Sequence, residues 1–392
     1  MSLYDRINTA YGGRIRALAS QLHRHPELGF QEYDTTALIK REAAALGVEP
    51  LELGLETGFV GLIHGGDGAG IALRADIDAI RQTEEAQRPD RSETQGLMHG
   101  CGHDTHCAGL LGAAMYLSEH REQLSGDVLL IFQPAEELLG GAKYLLDHGL
   151  WERFWPAEVM GLHNLPQLPV GTVGLRSGPL MAYKDGFQIR YLGRSGHTST
   201  PQKNVDPTVA IAALVMALQT VVSRNVGPLE QAVVTVCSIS SGQPFTTTVD
   251  DAVITGNIRT LDPEVRRRVL ERVRAIAEFT ASAYGCVPET DIHQITAGVI
   301  NSEALLPTAR AAAEAVFGAE NVALPSVNLA SEDFSLLSQG KEAFFYFLGS
   351  GIPGEQPVLW HNPCFHAHPD TPVYGAALLA QSVLEAQRRL GG

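Results

Sequence analysis

The stretch MHGCGHDTHCAGLLGAAMYLSEHREQLSGDVLLIFQPAEELLGGAKYLLDHGL, residues 98–150, decides how the chain is read. Residues 107–121 have helical period and propensity and predict a helix. DVLLIFQP, 127–134, is an unbroken apolar run that stops at Pro134, the pattern of a strand buried on both faces. GGAKYLLDHGL, 140–150, predicts a short helix closed by a glycine. Outward from there, GFVGLIHG (58–65), GIALRADIDAI (70–80) and EVMGLHN (158–164) are further Gly-bounded apolar strands. Residues 14–47 are helix-rich, interrupted at Pro26 within HRHPELGFQE (23–32). Strands alternating with helices predict an α/β domain whose central, mostly parallel sheet is flanked by helices. In such sheets ligands bind beyond the carboxyl ends of the strands.

The pattern changes near residue 179. DGFQIRYLG (185–193) alternates like a half-exposed strand, and PTVAIAALVMALQTVVSRN (207–225) is a long helix with Pro207 at its start. AVVTVCSIS (232–240) and AVITGNIRT (252–260) are strands. PEVRRRVLERVRAIAEFTASAYG (263–285) is an amphipathic helix with Val265, Val269, Val273, Ile276 and Phe279 on its apolar face. DIHQIT (291–296) closes the set. The order β-α-β-β-α-β is the ferredoxin-like unit. It predicts an inserted α+β domain over 180–295, with the first domain formed by 1–179 and 296–392. To that first domain return the helix 304–318, the strand FFYFLG (344–349) and a last helix over 373–390.

Composition narrows the function classes. A chain of 392 residues suggests two domains at ~100–200 residues each. With 29 Lys+Arg against 44 Asp+Glu, the net charge of −15 argues against nucleic acid or an anionic membrane as partner. The five cysteines are too few, and odd in number, for a disulfide framework, which fits a reducing compartment. The N-terminal stretch lacks the apolar core of a secretion signal. The longest apolar run, 209–218, is shorter than the roughly 20 residues that span a bilayer. A cytoplasmic protein without a membrane partner is expected.

Chemistry concentrates in a few segments. MHGCGHDTHC holds Cys101, His103, Asp104 and His106 in a Gly-flanked turn, where a thiolate and an imidazole can be presented side by side to a zinc-like ion. The plain alternative is a loop rich in histidine. Because the spacing is not that of a structural zinc site made of paired cysteines, a catalytic site is favoured. Glu136 and Glu137 are adjacent carboxylates directly after a strand. A bound dication would offset their repulsion, although acidic residues at a solvated helix start would look the same. His163 ends an apolar strand, where a lone histidine is more often structural than a ligand; His361 lies in the His-rich loop WHNPCFHAHPD, which is suggestive and not decisive; and His197 lies in GRSGHTSTP, where alone an exposed loop histidine is the better reading. Together, Cys101, His103, Glu137, His163 and His361 sit at strand ends and loops, and five ligands suffice for two metals with one bridge.

Taken in order, HRHPELGFQE, LRADIDA, MHGCGHDTH, FQPAEE, GLHN, SGHTSTP and SEDF resemble the bacterial hippurate hydrolase and N-acyl-amino-acid amidohydrolase family, related to plant auxin-conjugate hydrolases and more distantly to aminoacylase-1. The resemblance covers nearly the whole chain. It implies two divalent metal ions per subunit (Zn, Mn, Co or Ni) on Cys101, His103, Glu137, His163 and His361, with Cys101 bridging. It implies Glu136 as general base, and His197 as a residue that reaches from the inserted dimerisation domain of one subunit into the active site of the other. A homodimer follows. Asp76 matches a supporting acid, with Asp104 beside the ligands, and Arg74 stands where distant relatives have a ligand His. Asn257 or Arg259, in GNIRT, could anchor a substrate carboxylate; a surface strand residue is the equal alternative for Arg259.

The implied activity is hydrolysis of the amide bond of N-acyl amino acids, hippurate-like or N-acetyl, with small N-acyl amino acids as the substrate partners. Departures from the family pattern occur at Ile80-Arg81, in EEAQRPDRSETQG, at Leu329-Ala330 before SEDF, and in CFHAHPD, where His366 and His368 read as surface residues. They lie around the pocket and leave the metal chemistry intact. The same site could serve a dipeptidase or carboxypeptidase, or an aminohydrolase releasing ammonia. Retention of all five ligands and Glu136 speaks against a non-catalytic binding relative.

Overall fold

The computed structural model describes residues 1–242 and 245–391. It divides into two compact units, one formed by Met1–Gly178, Ile300–Ser326 and Asp333–Gly392, the other by Pro179–Val299 and Val327–Glu332.

The first unit is built on an eight-stranded sheet ordered Glu49–Pro50, Phe59–Ile63, Gly126–Gln133, Gly68–Asp76, Glu158–Pro169, Glu342–Gly351, Val173–Gly174, Val322–Ala323. The strands from Gly126–Gln133 to Glu342–Gly351 run parallel. Phe59–Ile63 and Val173–Gly174 join them antiparallel, so the sheet is mixed at its flanks. The parallel strands are buried along almost their whole length, which is why they read as continuous apolar runs. One core joins their side chains to helices Leu3–Arg24, His103–Glu119, Leu306–Phe317 and Thr371–Gly391.

The helix expected from residue 107 begins at His103, and every residue from His103 through Leu117 is buried. Gly102, with φ 82°, caps it in the left-handed region. The early start places His103 and His106 in the first turn of a rigid element instead of in a loop.

The second unit carries a four-stranded antiparallel sheet ordered Ala232–Ser240, Asp251–Thr260, Tyr183–Leu192, Val287–Thr296. Helices Pro207–Asn225 and Pro263–Ala283 share a core with its inward residues Phe187, Ile189, Ile254 and Ile258. Each helix starts at a proline behind an aspartate cap: Asp206 accepts from the Thr208 N–H, and Asp262 from those of Glu264 and Val265. Phe279 was expected on the core face but is 73% exposed. The buried stripe of its helix continues instead through Ala277 and Ala281. The helix Pro207–Asn225, read from its apolar run as too short, is long and apolar enough as a whole to cross a membrane by length and composition. Its face Ala210, Ile211, Leu214, Leu218 and Val221 lies in the core of the second unit.

Val327–Glu332, placed by the sequence reading in the first domain, belongs with the second unit. The N–H of Asn328 donates to the Leu180 carbonyl (2.8 Å), and that of Ala182 to the Ala330 carbonyl (3.0 Å). Arg259 Nη1 adds bonds to the Leu329 carbonyl (2.7 Å) and Ser331 Oγ (3.1 Å).

Candidate metal centre

The thiol comes from the turn before helix His103–Glu119, and the first imidazole from that helix's first residue. A Cβ on Gly102 would lie 2.5 Å from Asn164 Nδ2, so the turn admits only glycine. Asn164 Nδ2 also donates to the Cys101 carbonyl. His103 Nδ1 faces the Asp78 carbonyl at 3.0 Å and its carboxylate at 3.2 Å. A carbonyl only accepts, so Nδ1 carries a hydrogen and Nε2 is the nitrogen that exchanges a proton or takes a cation. His103 Nε2 is buried and makes no hydrogen bond.

The carboxylates follow strand Gly126–Gln133. Past Pro134 the chain turns through Ala135, a non-glycine residue at φ 52°. The Glu137 N–H donates to Asp78 Oδ2 (2.9 Å), and the Leu139 N–H to the Glu136 carbonyl (2.7 Å). One Glu137 oxygen, Oε1, is buried without a hydrogen bond, and the other lies 3.2 Å from His361 Nε2.

His163 projects from strand Glu158–Pro169. Its Nδ1 donates to the Asn164 carbonyl (2.8 Å), which again leaves Nε2 as the bare nitrogen, and its ring packs edge-on to Trp360 with centroids 4.5 Å apart. His361 sits at φ 59°. Its N–H donates to the Gly100 carbonyl (2.9 Å), tying the loop to the Cys101 turn, and its Nε2 approaches Cys101 Sγ at 3.1 Å. Strained backbone at Ala135 and His361 coincides with converging side chains, as at functional sites generally.

Two groups of potential ligand atoms result, each with its members within 4.8 Å of one another: Cys101, His103 and His163, and Cys101, Glu137 and His361. The thiol is common to both. Asp76 with His103 and His106, and His103 with Glu136 and Glu137, form overlapping groups by the same measure. A thiol, imidazoles and a carboxylate are the donors that borderline divalent cations take. The orphaned His103 Nε2 and Glu137 Oε1 are the atoms such a cation would satisfy, so the residues fit one.

The electrostatics agree. Burial alone would pull the His103 pKa down, but Asp76, Asp78 and Glu137 push it up to about 10, the mark of a site with surplus negative charge. Burial, helped by His106, pulls His163 down to about 3, so its imidazole is neutral and able to ligate. Burial raises the Cys101 thiol well above its ordinary value, and Glu137 and Glu136 raise it further. Ionising that thiol therefore calls for a cation beside it.

The other expected residues divide. Asp76 lies against the cluster: Oδ1 takes His106 Nδ1 (2.6 Å), Oδ2 takes Arg74 Nη1 (2.8 Å), and Oδ2 lies 3.7 Å from His103 Nε2. Arg74 is buried between Asp76, Gln133 and Asp333. Asp104, expected beside the ligands, is bound instead to His23 Nδ1 (2.9 Å), since adjacent helical side chains diverge. His366 pairs with Glu355, and His368 accepts from the Asp370 N–H. In the second unit, Asn257 Nδ2 reaches Cys237 Sγ (3.3 Å), and Arg259 holds the 327–332 segment. His197 is exposed there, and its Nδ1 accepts from the Ser199 N–H (3.1 Å), which makes Nε2 the nitrogen bearing hydrogen.

Sequence reasoning missed Asp78, Asn164 and Trp360. Asp78 was within reach, two positions beyond Asp76 in RADIDA. Asn164 hydrogen-bonds His106, the Cys101 carbonyl, Ser350 Oγ and Trp360 Nε1. Only the fold reveals that role.

Known proteins are similar to this chain. The N-acetylcysteine deacetylase of Bacillus subtilis (strain 168) is 38% identical over 358 residues, 91% of this chain and 92% of the relative. The hippurate hydrolase of Campylobacter jejuni is 35% identical over 355 residues, 90% and 91% of the two chains. The solved structure of the Bacillus subtilis YXEP protein, described as a dinuclear metal binding peptidase from the M20 family, superposes with a TM-score of 0.86 at 33% identity, covering 97% of this chain and 99% of its own. The family model for peptidase family M20/M25/M40 matches residues 72–385, and the chain belongs to that family.

Proposed function

We propose that this protein is a metal-dependent amidohydrolase that cleaves N-acyl amino acids to an amino acid and a carboxylate. The observation that carries the reading is the sharing of Cys101 Sγ between two three-residue groups, with a further carboxylate, Glu136, beside them. Relatives named as an N-acetylcysteine deacetylase and a hippurate hydrolase support the substrate class. Two divalent cations would be held by Cys101, His103, Glu137, His163 and His361, the thiol serving both. Bound there, they supply Lewis acidity, which lowers the pKa of a water and polarises the amide carbonyl.

The remaining work falls to the chain's own groups. Glu136 Oε2 lies 3.9 Å from His103 Nε2, and Glu136 belongs to neither Cys101-centred group. It takes the proton of the attacking water and delivers it to the leaving nitrogen. His197, with its hydrogen on Nε2, donates to the developing oxyanion, serving the site of the other subunit in a homodimer. Arg259 and Asn257 are the candidates for the substrate carboxylate. The five cysteines, all free, suit a cytoplasmic enzyme.

The test is Glu136→Gln. The variant should keep its full metal complement and lose turnover by ~10²–10⁴-fold. Turnover close to that of the parent protein would remove Glu136 from its role.

A further inference from the structure

The segment HRHPELGFQE has no part in the chemistry above, yet its last residue is buried against the turn that carries Glu136. Glu32 and Ala135 are both 0% exposed. The Ala135 N–H donates to Glu32 Oε1 at 2.8 Å. Ala135 is the residue held at φ 52°, a left-handed conformation that an alanine's Cβ disfavours and that surrounding contacts must impose. The carbonyl of Ala135 accepts from the N–H groups of Gly140 (3.3 Å) and Gly141 (3.2 Å), closing the turn from the other end.

On the far side of Glu136, the Glu137 N–H is taken by Asp78 Oδ2 at 2.9 Å. Two buried carboxylates therefore grip the backbone N–H groups immediately before and after Glu136. The segment bearing Glu32 is itself fixed. The Ala79 N–H donates to the Glu27 carbonyl (2.8 Å), and the Glu27 carboxylate caps the next helix through the N–H groups of Asp34 (3.1 Å) and Thr35 (2.7 Å). Gly29 packs so tightly that a Cβ would lie 3.0 Å from Ala135 Cα and Cβ.

We propose that Glu32 is a positioning residue: its carboxylate oxygen, through the Ala135 N–H, holds the left-handed turn that aims Glu136. The inference rests on Glu136 being the general base. Because the grip is a hydrogen bond to a neutral N–H, it depends on reach and not on charge. Glutamine keeps the oxygen in place, whereas aspartate keeps the charge and is one methylene too short.

The experiment compares Glu32→Gln, Glu32→Asp and Glu32→Ala in two ways. On the metal-loaded enzyme, Glu32→Asp and Glu32→Ala should lower kcat ~10²-fold, the effect of misplacing a reacting group by about 1 Å, with KM and metal content little changed. Glu32→Gln should stay within a few-fold of the parent. On the metal-free protein, backbone hydrogen exchange across residues 135–139 should speed up at least ~10-fold in Glu32→Asp and Glu32→Ala, and not in Glu32→Gln. A dead Glu32→Gln beside an active Glu32→Asp would overturn the proposal, as would unchanged exchange, or a loss of kcat that follows loss of metal. Failure of the base assignment shows separately, as an active Glu136→Gln, and leaves the exchange result to stand or fall by itself.

Discussion

At the scale of single residues, the cluster depends on groups that touch no substrate. Asp78 orients His103 through Nδ1 and holds the Glu137 N–H. Asp78→Ala should weaken metal binding ~10–100-fold, read by competition against a chromophoric chelator, as removal of outer-sphere partners commonly does. Unchanged affinity would contradict the role. His197→Ala should lower kcat ~10²–10³-fold with metal content intact, because an oxyanion donor is worth that much; an unaffected kcat would mean that Nε2 donates to nothing in the reaction. Ligand-type residues were legible in the sequence because thiols and imidazoles are rare and chemically specific. Asp78 was within reach beside Asp76 but passed over, and Asn164 was not legible, since carboxylates and amides are common everywhere. Their importance lies in the fold that brings Asn164 against Cys101 and His106.

At the scale of elements, helix His103–Glu119 anchors the centre, and its first turn is tied to helix Leu3–Arg24 through a buried histidine. His23 Nδ1 meets Asp104 at 2.9 Å and Nε2 meets Glu84 at 3.2 Å. Burial alone would lower the His23 pKa, but these two carboxylates raise it to about 9. A raised folded-state value means that the stabilisation is fully present below about pH 6.5, the unfolded value, and is lost as pH climbs through about 9. His23→Ala should therefore be ~3–5 kcal/mol less stable near pH 6.5, having left two carboxylates buried without their cation. In chemical denaturation the gap to the parent protein should narrow as pH rises towards 10; a gap that widens would reverse the sign of the argument. Periodicity located most of these elements. It missed the start of His103–Glu119 because a left-handed glycine, Gly102, begins the helix inside what reads as a loop. It misplaced Phe279 because the buried stripe of its helix shifts to Ala277 and Ala281 in the last turns.

At the scale of the whole molecule, the chain order of motifs announced a discontinuous first unit with an insertion, and the βαββαβ order was plain from alternating periods. The short return of Val327–Glu332 to the second unit was not readable, because it is made by backbone hydrogen bonds and one arginine, which leave no periodic trace. If His197 serves the site of a second copy, the active form is a dimer, and light scattering during size exclusion should report twice the chain mass. A fully active monomer would remove His197 from the mechanism.

The central claim is a two-cation amidohydrolase, and the most direct measurement is release of free amino acid from N-acetyl, N-benzoyl and longer N-acyl amino acids by protein reloaded with zinc or manganese. The account predicts turnover of at least one such substrate, two metal ions bound per chain, and loss of both on chelation with recovery on reloading. Silence across the panel with two metals bound, or turnover that persists in the chelator, would contradict it.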